Sequence, residues 1–303
     1  MMRSVHQNVV ATVAYADIFD YPLQRTEVSR WLIGGGRLPL TLPRAVKAVG
    51  QYMVLSGRER IVKVREVRQK IALGKWTRIR RLAGMFRLVP TLTLLGVTGG
   101  LAMDNARRED DIDLFFIARP GTLWITRMMV TLLAELARVR RRPNERHVRD
   151  KICLNMFMSE DRLRLPHSEH DLFAAHEVLQ MVPVWERGGA YSKFIKANAW
   201  VREFLPNAWQ QKNHELRIMN HEKRQKHTPF SFIIHASLFM IQLLEPIARC
   251  IQLWYMRGKR TNEVIRSGMI RFHPRDARGW VWGKYTIRLA RWNIPLDKVF
   301  YRR

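Results

Sequence analysis

The sequence predicts an α+β fold in three parts: an N-terminal unit of short helices and a hairpin (residues 1–66), a core with a small mixed β-sheet (67–165) and a helical C-terminal region (166–303). Three observations carry this expectation. Strand-length runs at 92–97, 111–118 and 152–158 are separated by helical stretches in the middle of the chain. From Ser168 onward the apolar period is helical. The 303 residues, 47% of them hydrophobic, are enough to bury a core in two or three compact units.

In the first part, Val9, Val10, Val13, Ile18 and Phe19 have helical spacing and stop before Pro22, and a second helix is expected over about 25–32. A third is expected over 42–49, with Thr41 as N-cap, Pro43 in the first turn and Gly50 at its end. That helix would bury Leu42, Val46 and Val49 and turn Arg44 and Lys47 outward. Residues 52–55, the turn Ser56-Gly57 and residues 61–64 then read as strand, turn and strand. Three short helices followed by such a hairpin make a winged-helix-like unit.

Residues 64–86 read as a basic helical connector, in which Arg65, Arg68, Lys75 and their neighbours face solvent or a polyanion. Pro90 resets the pattern to a strand over 92–97, followed by Gly99-Gly100 and a short helix from Leu101. The polar turn 107–110 leads into the strand 111–118, and Pro120-Gly121-Thr122 opens a helix that runs to Val139. Its apolar positions cover most faces, as a helix between a sheet and another layer requires. The loop Arg140-Arg141-Arg142-Pro143 returns to the strand 152–158. Helices follow over 172–181, 191–205 and 232–256, with the polar stretch 206–229 as a linker or exposed loop.

Lys and Arg number 53 against 26 Asp and Glu, a formal net charge of +27. Such a surface points to nucleic acid or another polyanion as partner. Cys153 and Cys250 each lie in an apolar stretch and read as core residues, which excludes a disulfide framework or a cysteine-rich metal site and fits a reducing interior. The N-terminus lacks the order of a secretory signal, and a cytoplasmic location is expected. The longest apolar run, 230–244, contains His235 and Gln242 and stops at Glu245-Pro246. It is short for a bilayer span and reads as a buried helix.

The chemistry centres on Asp110-Asp111-Ile112-Asp113-Leu114. Asp111 and Asp113 are two apart on a strand, so both leave the same face while Ile112 points into the core. Two carboxylates side by side suit a hard cation such as Mg2+, which takes one or two carboxylates plus substrate phosphates. Upstream, Thr98-Gly99-Gly100 ends an apolar strand and turns into a helix, where glycine permits close approach of a phosphate. Ten residues separate Gly100 from Asp111.

This order of apolar strand, Gly-Gly, helix, polar turn, Asp-Ile-Asp and apolar strand resembles the polymerase-beta nucleotidyltransferase superfamily. Its motif is an apolar residue, Gly and Gly or Ser, followed about nine to thirteen residues later by Asp, an apolar residue, Asp or Glu, and a further apolar residue. The resemblance covers chiefly residues 88–160. It implies a nucleotidyltransferase core that moves a nucleoside monophosphate from a triphosphate, ATP in the first instance, to an acceptor hydroxyl. It also implies Gly99 and Gly100 near the phosphates, and Asp111 and Asp113 as ligands of Mg2+ or Mn2+. Catalytic members place a third carboxylate on a later strand. Here residues 151–157 offer Asn155, which can ligate a metal through oxygen but is no general base; Asp150 and Asp161 are alternative sources.

Arg119 and Arg127 flank the start of the following helix and are candidates to reach a triphosphate. Two other readings stand beside the enzyme. One is a catalytically impaired nucleotide-binding protein. The other is a winged-helix regulator with residues 42–49 in a DNA groove, where only Arg44 and Lys47 could contact phosphates. A dinucleotide-binding turn is excluded by Met103 and Asp104 where further glycines would stand, and Gly34-Gly35-Gly36-Arg37 is no P-loop. His176-Glu177 lacks a second histidine at zinc spacing and reads as an ordinary packed pair.

Overall fold

A computed structural model of the protein describes residues 4–142, 145–224, 241–257, 264–272 and 277–295. The first helix, α1 (Val5–Asp17), starts at a capping box in which Ser4 Oγ accepts from Gln7 N and Ser4 N donates to Gln7 Oε1. It is buried from Val9 to Asp17. Then come β1 (Leu23–Gln24), α2 (Arg25–Arg30), β2 (Val46–Val49) and β3 (Tyr52–Leu55), the three strands forming an antiparallel sheet in the order β1-β3-β2.

Two expectations for this unit are corrected. Residues 42–49 form no helix. Val46 to Val49 pair with Leu55 to Tyr52 around Gly50, whose φ of 58° makes it part of the hairpin turn rather than a helix end. Residues 61–64 are not the second wing strand either. β3 is central and already paired on both edges, so the chain leaves the sheet at Ser56-Gly57 and starts a helix.

That helix, α3 (Ile61–Phe86), buries Ile61, Arg65, Arg68, Ala72, Lys75, Ile79, Ala83 and Phe86, each three or four residues from the next. Three of its basic residues therefore point inward rather than to solvent. The Arg65 guanidinium forks onto Glu27 at 2.6 and 2.8 Å and lies 4.2 Å from the Tyr21 ring centroid. Arg68 donates to Phe19 O and to Asn105 Oδ1, and Lys75 donates to Asp150 Oδ1 and Asp110 O. Arg65, Arg68 and Lys75 fasten α3 to the first unit and to the loops beside β5, while Lys70, Arg78, Arg80 and Arg81 are exposed, as expected of a basic connector.

The rest of the chain builds on β4 (Leu92–Val97), α4 (Gly99–Ala102), β5 (Ile112–Ala118), α5 (Leu123–Leu136) and β6 (Ile152–Ser159). These are followed by α6 (Leu172–Gln180), β7 (Val182–Glu186), α7 (Ala190–Ala197), α8 (Pro206–Arg224), α9 (Glu245–Met256), β8 (Val264–Arg266), β9 (Met269–Arg271) and α10 (Ala277–Arg291). The main sheet has the order β7-β4-β5-β6-β9-β8. It is mixed: β5 and β6 are parallel and joined through α5, and the other neighbours are antiparallel. The region after residue 166, expected to be helical, thus supplies three of the six strands.

The sheet is buried on both faces. Ile112, Leu114, Phe116 and Ala118 join one core with residues of α3, α5 and α9. Phe115 and Ile117 join another with residues of α1, α6, α7 and α10. On α9, Ala248, Gln252 and Met256 face inward at helical spacing, which leaves Cys250 exposed, contrary to its reading as core. Residues 206–224 form α8 instead of a linker, with Ala208, Lys212 and Leu216 buried one turn apart. Of the apolar run 230–244, residues 230–240 lie outside the described residues. Among the described residues no helix is long and apolar enough to cross a membrane.

Candidate active site

The strand β5 presents Asp113, and Asp111 just before it, on the face shared with Phe115 and Ile117. Asp113 carries the closest link to the neighbouring strand end, because its carbonyl accepts from Thr98 N at 3.0 Å. The next residue, Gly99, has a φ of 67°, and a Cβ placed on it would stand 3.0 Å from Asp113 Oδ2. A side chain there would be strained by its backbone and pressed against the carboxylate, so the bend needs glycine twice over. At Gly100 a Cβ would make ordinary contact, 3.4 Å from Asn105 O.

The parallel register sets Cys153 of β6 against Asp113, and single ligand atoms of Asp111, Asp113 and Cys153 all lie within 4.8 Å of one another. The Cys153 thiol lies beside the Asp113 carboxylate. Burial, with the two nearby carboxylates adding to it, pushes this thiol well above its ordinary pKa, so it stays protonated. Arg141 reaches the pair from the loop after α5. Its backbone N donates to Ile152 O at 2.9 Å, and its guanidinium donates to Asp111 Oδ2 at 2.7 Å. Asp113 is raised to about 7, first by burial and then by the charge of Asp111.

Another carboxylate, whose charge bears on Asp113, comes from a helix rather than a strand. Glu177 of α6 is half-buried and, among the described residues, makes no hydrogen bond or ion pair. Burial raises it to about 7, against the opposing pull of Arg278. It stands between two cavities. One, of about 310 Å³, includes Thr98, Phe115, Asn155 and Phe173; the other, of about 120 Å³, includes Gly99, Gly100 and residues of the N-terminal unit.

The structure brings Gly99, Gly100, Asp111 and Asp113 together and leaves other candidates elsewhere. Arg119 follows the far end of β5, on the order of 20 Å from Asp113 at about 3.3 Å per residue. Arg127 is buried across the sheet, bonded to Gln252 and 4.4 Å from the Phe272 ring centroid. Neither can serve a phosphate held at the glycine bend. Asn155 lies beyond Cys153 at the irregularity where β6 slips register against β5. It lines the larger cavity, where its Oδ1 and the Thr98 Oγ1 are buried without a hydrogen-bond partner. Asp150 is tied to Lys75, and Asp161 to Ser159.

Arg141, Cys153 and Glu177 were missed in sequence. Alternation along β6 could have found Cys153, but Arg141 sits in a run of three arginines, and only tertiary packing brings Glu177 to the site.

The donor set fits a hard divalent cation. Two carboxylates are held close together against their mutual repulsion, a protonated thiol offers no thiolate, and the Gly99 bend, free of a side chain, lies directly against the Asp113 carboxylate. Compared with protein-family models, curated proteins and solved structures, the chain matches none.

Proposed function

We propose that the protein is a metal-dependent nucleotidyltransferase that moves a nucleoside monophosphate from a nucleoside triphosphate to an acceptor hydroxyl. The observation that carries this reading is the approach of the acid pair to the glycine bend, where the carboxylate of Asp113 stands 3.0 Å from the position a Cβ would take on Gly99. Asp111 and Asp113 would hold Mg2+ or Mn2+, which supplies charge neutralisation for the triphosphate.

The chain's own residues do the rest. Gly99 and Gly100 admit phosphate oxygens close to the backbone. Arg141 fixes the orientation of Asp111 and offsets part of the pair's negative charge. Glu177 is suited to take the proton of the attacking hydroxyl, because its carboxyl is poised near neutrality, is not engaged by another described residue, and borders both cavities. Asn155 cannot do this, and Glu177 would stand in for the carboxylate missing from the third strand.

The larger cavity gives an acceptor room beside Glu177. A winged-helix DNA-reading role has less support, since residues 42–49, its recognition element, form a loop and an edge strand. Incubation with each α-labelled nucleoside triphosphate, Mg2+ or Mn2+ and a cell extract tests the reading. Label should pass to one extract fraction with wild type and not with Asp111→Asn or Asp113→Asn. Transfer that persists in both variants refutes the site.

A further inference from the structure

On the N-terminal side of Glu177, the bend at Gly99 and Gly100 opens directly into the cavity of about 120 Å³. Its wall is aromatic: Tyr15 and Phe19 come from α1 and its end, Tyr21 from the turn that follows, and Trp31 from the end of α2. Its polar edge is α6, which contributes His176, Glu177 and Gln180. His176 is only 5% exposed and stacks on Tyr15, with ring centroids 4.2 Å apart and planes 9° apart. Its Nδ1 lies 3.1 Å from Gln180 Nε2. With the amide donating to Nδ1, the single proton of the neutral ring sits on Nε2. That Nε2 is buried and has no hydrogen-bond partner. Burial lowers the imidazole to about 3, so it is a neutral donor at physiological pH.

A room for about four waters at about 30 Å³ each has the size of a small flat ring system. Rings wall it, one of its lining residues, His176, carries a buried donor that lacks an acceptor, and Gly99 and Gly100 of the bend line it too.

We infer that this cavity is a base pocket: the heteroaromatic base of the nucleotide packs against the aromatic wall of the N-terminal unit and accepts a hydrogen bond from His176 Nε2 through a ring nitrogen or carbonyl. The N-terminal unit then selects substrate instead of reading DNA. The choice of a nucleobase over another flat heterocycle rests on the transferase reading.

The test uses the four ribonucleosides, without phosphate or metal, titrated into the full chain and followed by ligand-observed NMR. Two variants separate folding from binding. Ala16→Phe projects a ring into the cavity from α1, and His176→Phe keeps the stack on Tyr15 but removes the donor. At least one nucleoside should bind wild type, lose binding in Ala16→Phe, and bind His176→Phe about tenfold more weakly, the worth of one buried hydrogen bond. Absence of binding by all four, or binding indifferent to both variants, overturns the pocket. If Ala16→Phe does not fold, the His176→Phe result decides alone.

A parallel titration with inorganic tripolyphosphate and Mg2+, in wild type and Asp113→Asn, reports on the acid pair independently. Nucleoside binding without metal-dependent tripolyphosphate binding keeps the pocket and sinks the transferase. The converse keeps the phosphate site and sinks the pocket.

Discussion

Replacing Glu177 by Gln should make the protein more stable at pH 8 and leave it unchanged at pH 4. The folded carboxyl titrates at about 7 and the unfolded one near 4.5, because burial on α6 penalises the charged form. The folded state therefore binds more protons between those values, and wild-type stability falls as pH rises through that window. A shift of this size corresponds to about 3 kcal/mol at about 1.36 kcal/mol per unit. Glu177 is only half-buried, and solvent screening reduces the figure to about 1–2 kcal/mol. Glutamine keeps the shape and cannot ionise, so the variant escapes this cost above pH 7. At roughly 2–4 °C per kcal/mol for a chain of this size class, its melting temperature should exceed wild type by about 2–8 °C at pH 8 in EDTA. Differential scanning calorimetry across pH 4 to 8 reads this. An offset independent of pH, or a variant that melts lower at pH 8, would refute the placement of a burdened acid at this position. If Glu177 also takes the acceptor's proton, label transfer should fall about 100-fold or more while Mg2+-dependent triphosphate binding survives.

Gly99→Ala should lower stability by about 1–2 kcal/mol from its left-handed backbone and displace the Asp113 carboxylate; circular-dichroism melts and a triphosphate titration check both, and unchanged triphosphate affinity would count against a role for the bend. Cys153→Asp adds a third carboxylate to a crowded pair, so it should melt below wild type in EDTA and gain more than wild type from Mn2+; an equal gain in both proteins would argue against cation binding there. Arg65→Leu leaves Glu27 without its bidentate partner, and urea unfolding should show a loss of about 3 kcal/mol, a neutral result contradicting the buried pair as drawn.

The acid pair and the glycine bend were legible in sequence because each depends on local geometry. Period two in β5 puts Asp111 and Asp113 on one face, and a Gly-Gly step after an apolar run marks a turn. The mixed sheet core was legible for the same reason, since β4, β5 and β6 are apolar runs bounded by turn residues. What failed was tertiary. The segment 46–49 has residues that tolerate a helix, but its partner is the strand across Gly50, and pairing overrides propensity. Pro183 hid β7, which tolerates proline because it lies at the sheet edge. Arg65, Arg68 and Lys75 of α3 looked solvated like their exposed neighbours because a single sequence does not reveal Glu27, Asp150 and the carbonyls that receive them. Glu177 lies on a helix whose own pattern is ordinary, and only the packing of α6 brings it to a cavity shared with the glycine bend.

The central claim is that two carboxylates on β5 and the bend at Gly99 grip a metal-bound triphosphate together. Calorimetric titration of MgATP, with the other nucleoside triphosphates beside it, into wild type and the Asp111→Asn/Asp113→Asn double variant measures this directly. Binding by wild type that requires the divalent cation and vanishes in the double variant is the expected result. Binding of equal strength in EDTA, or in the double variant, would contradict it.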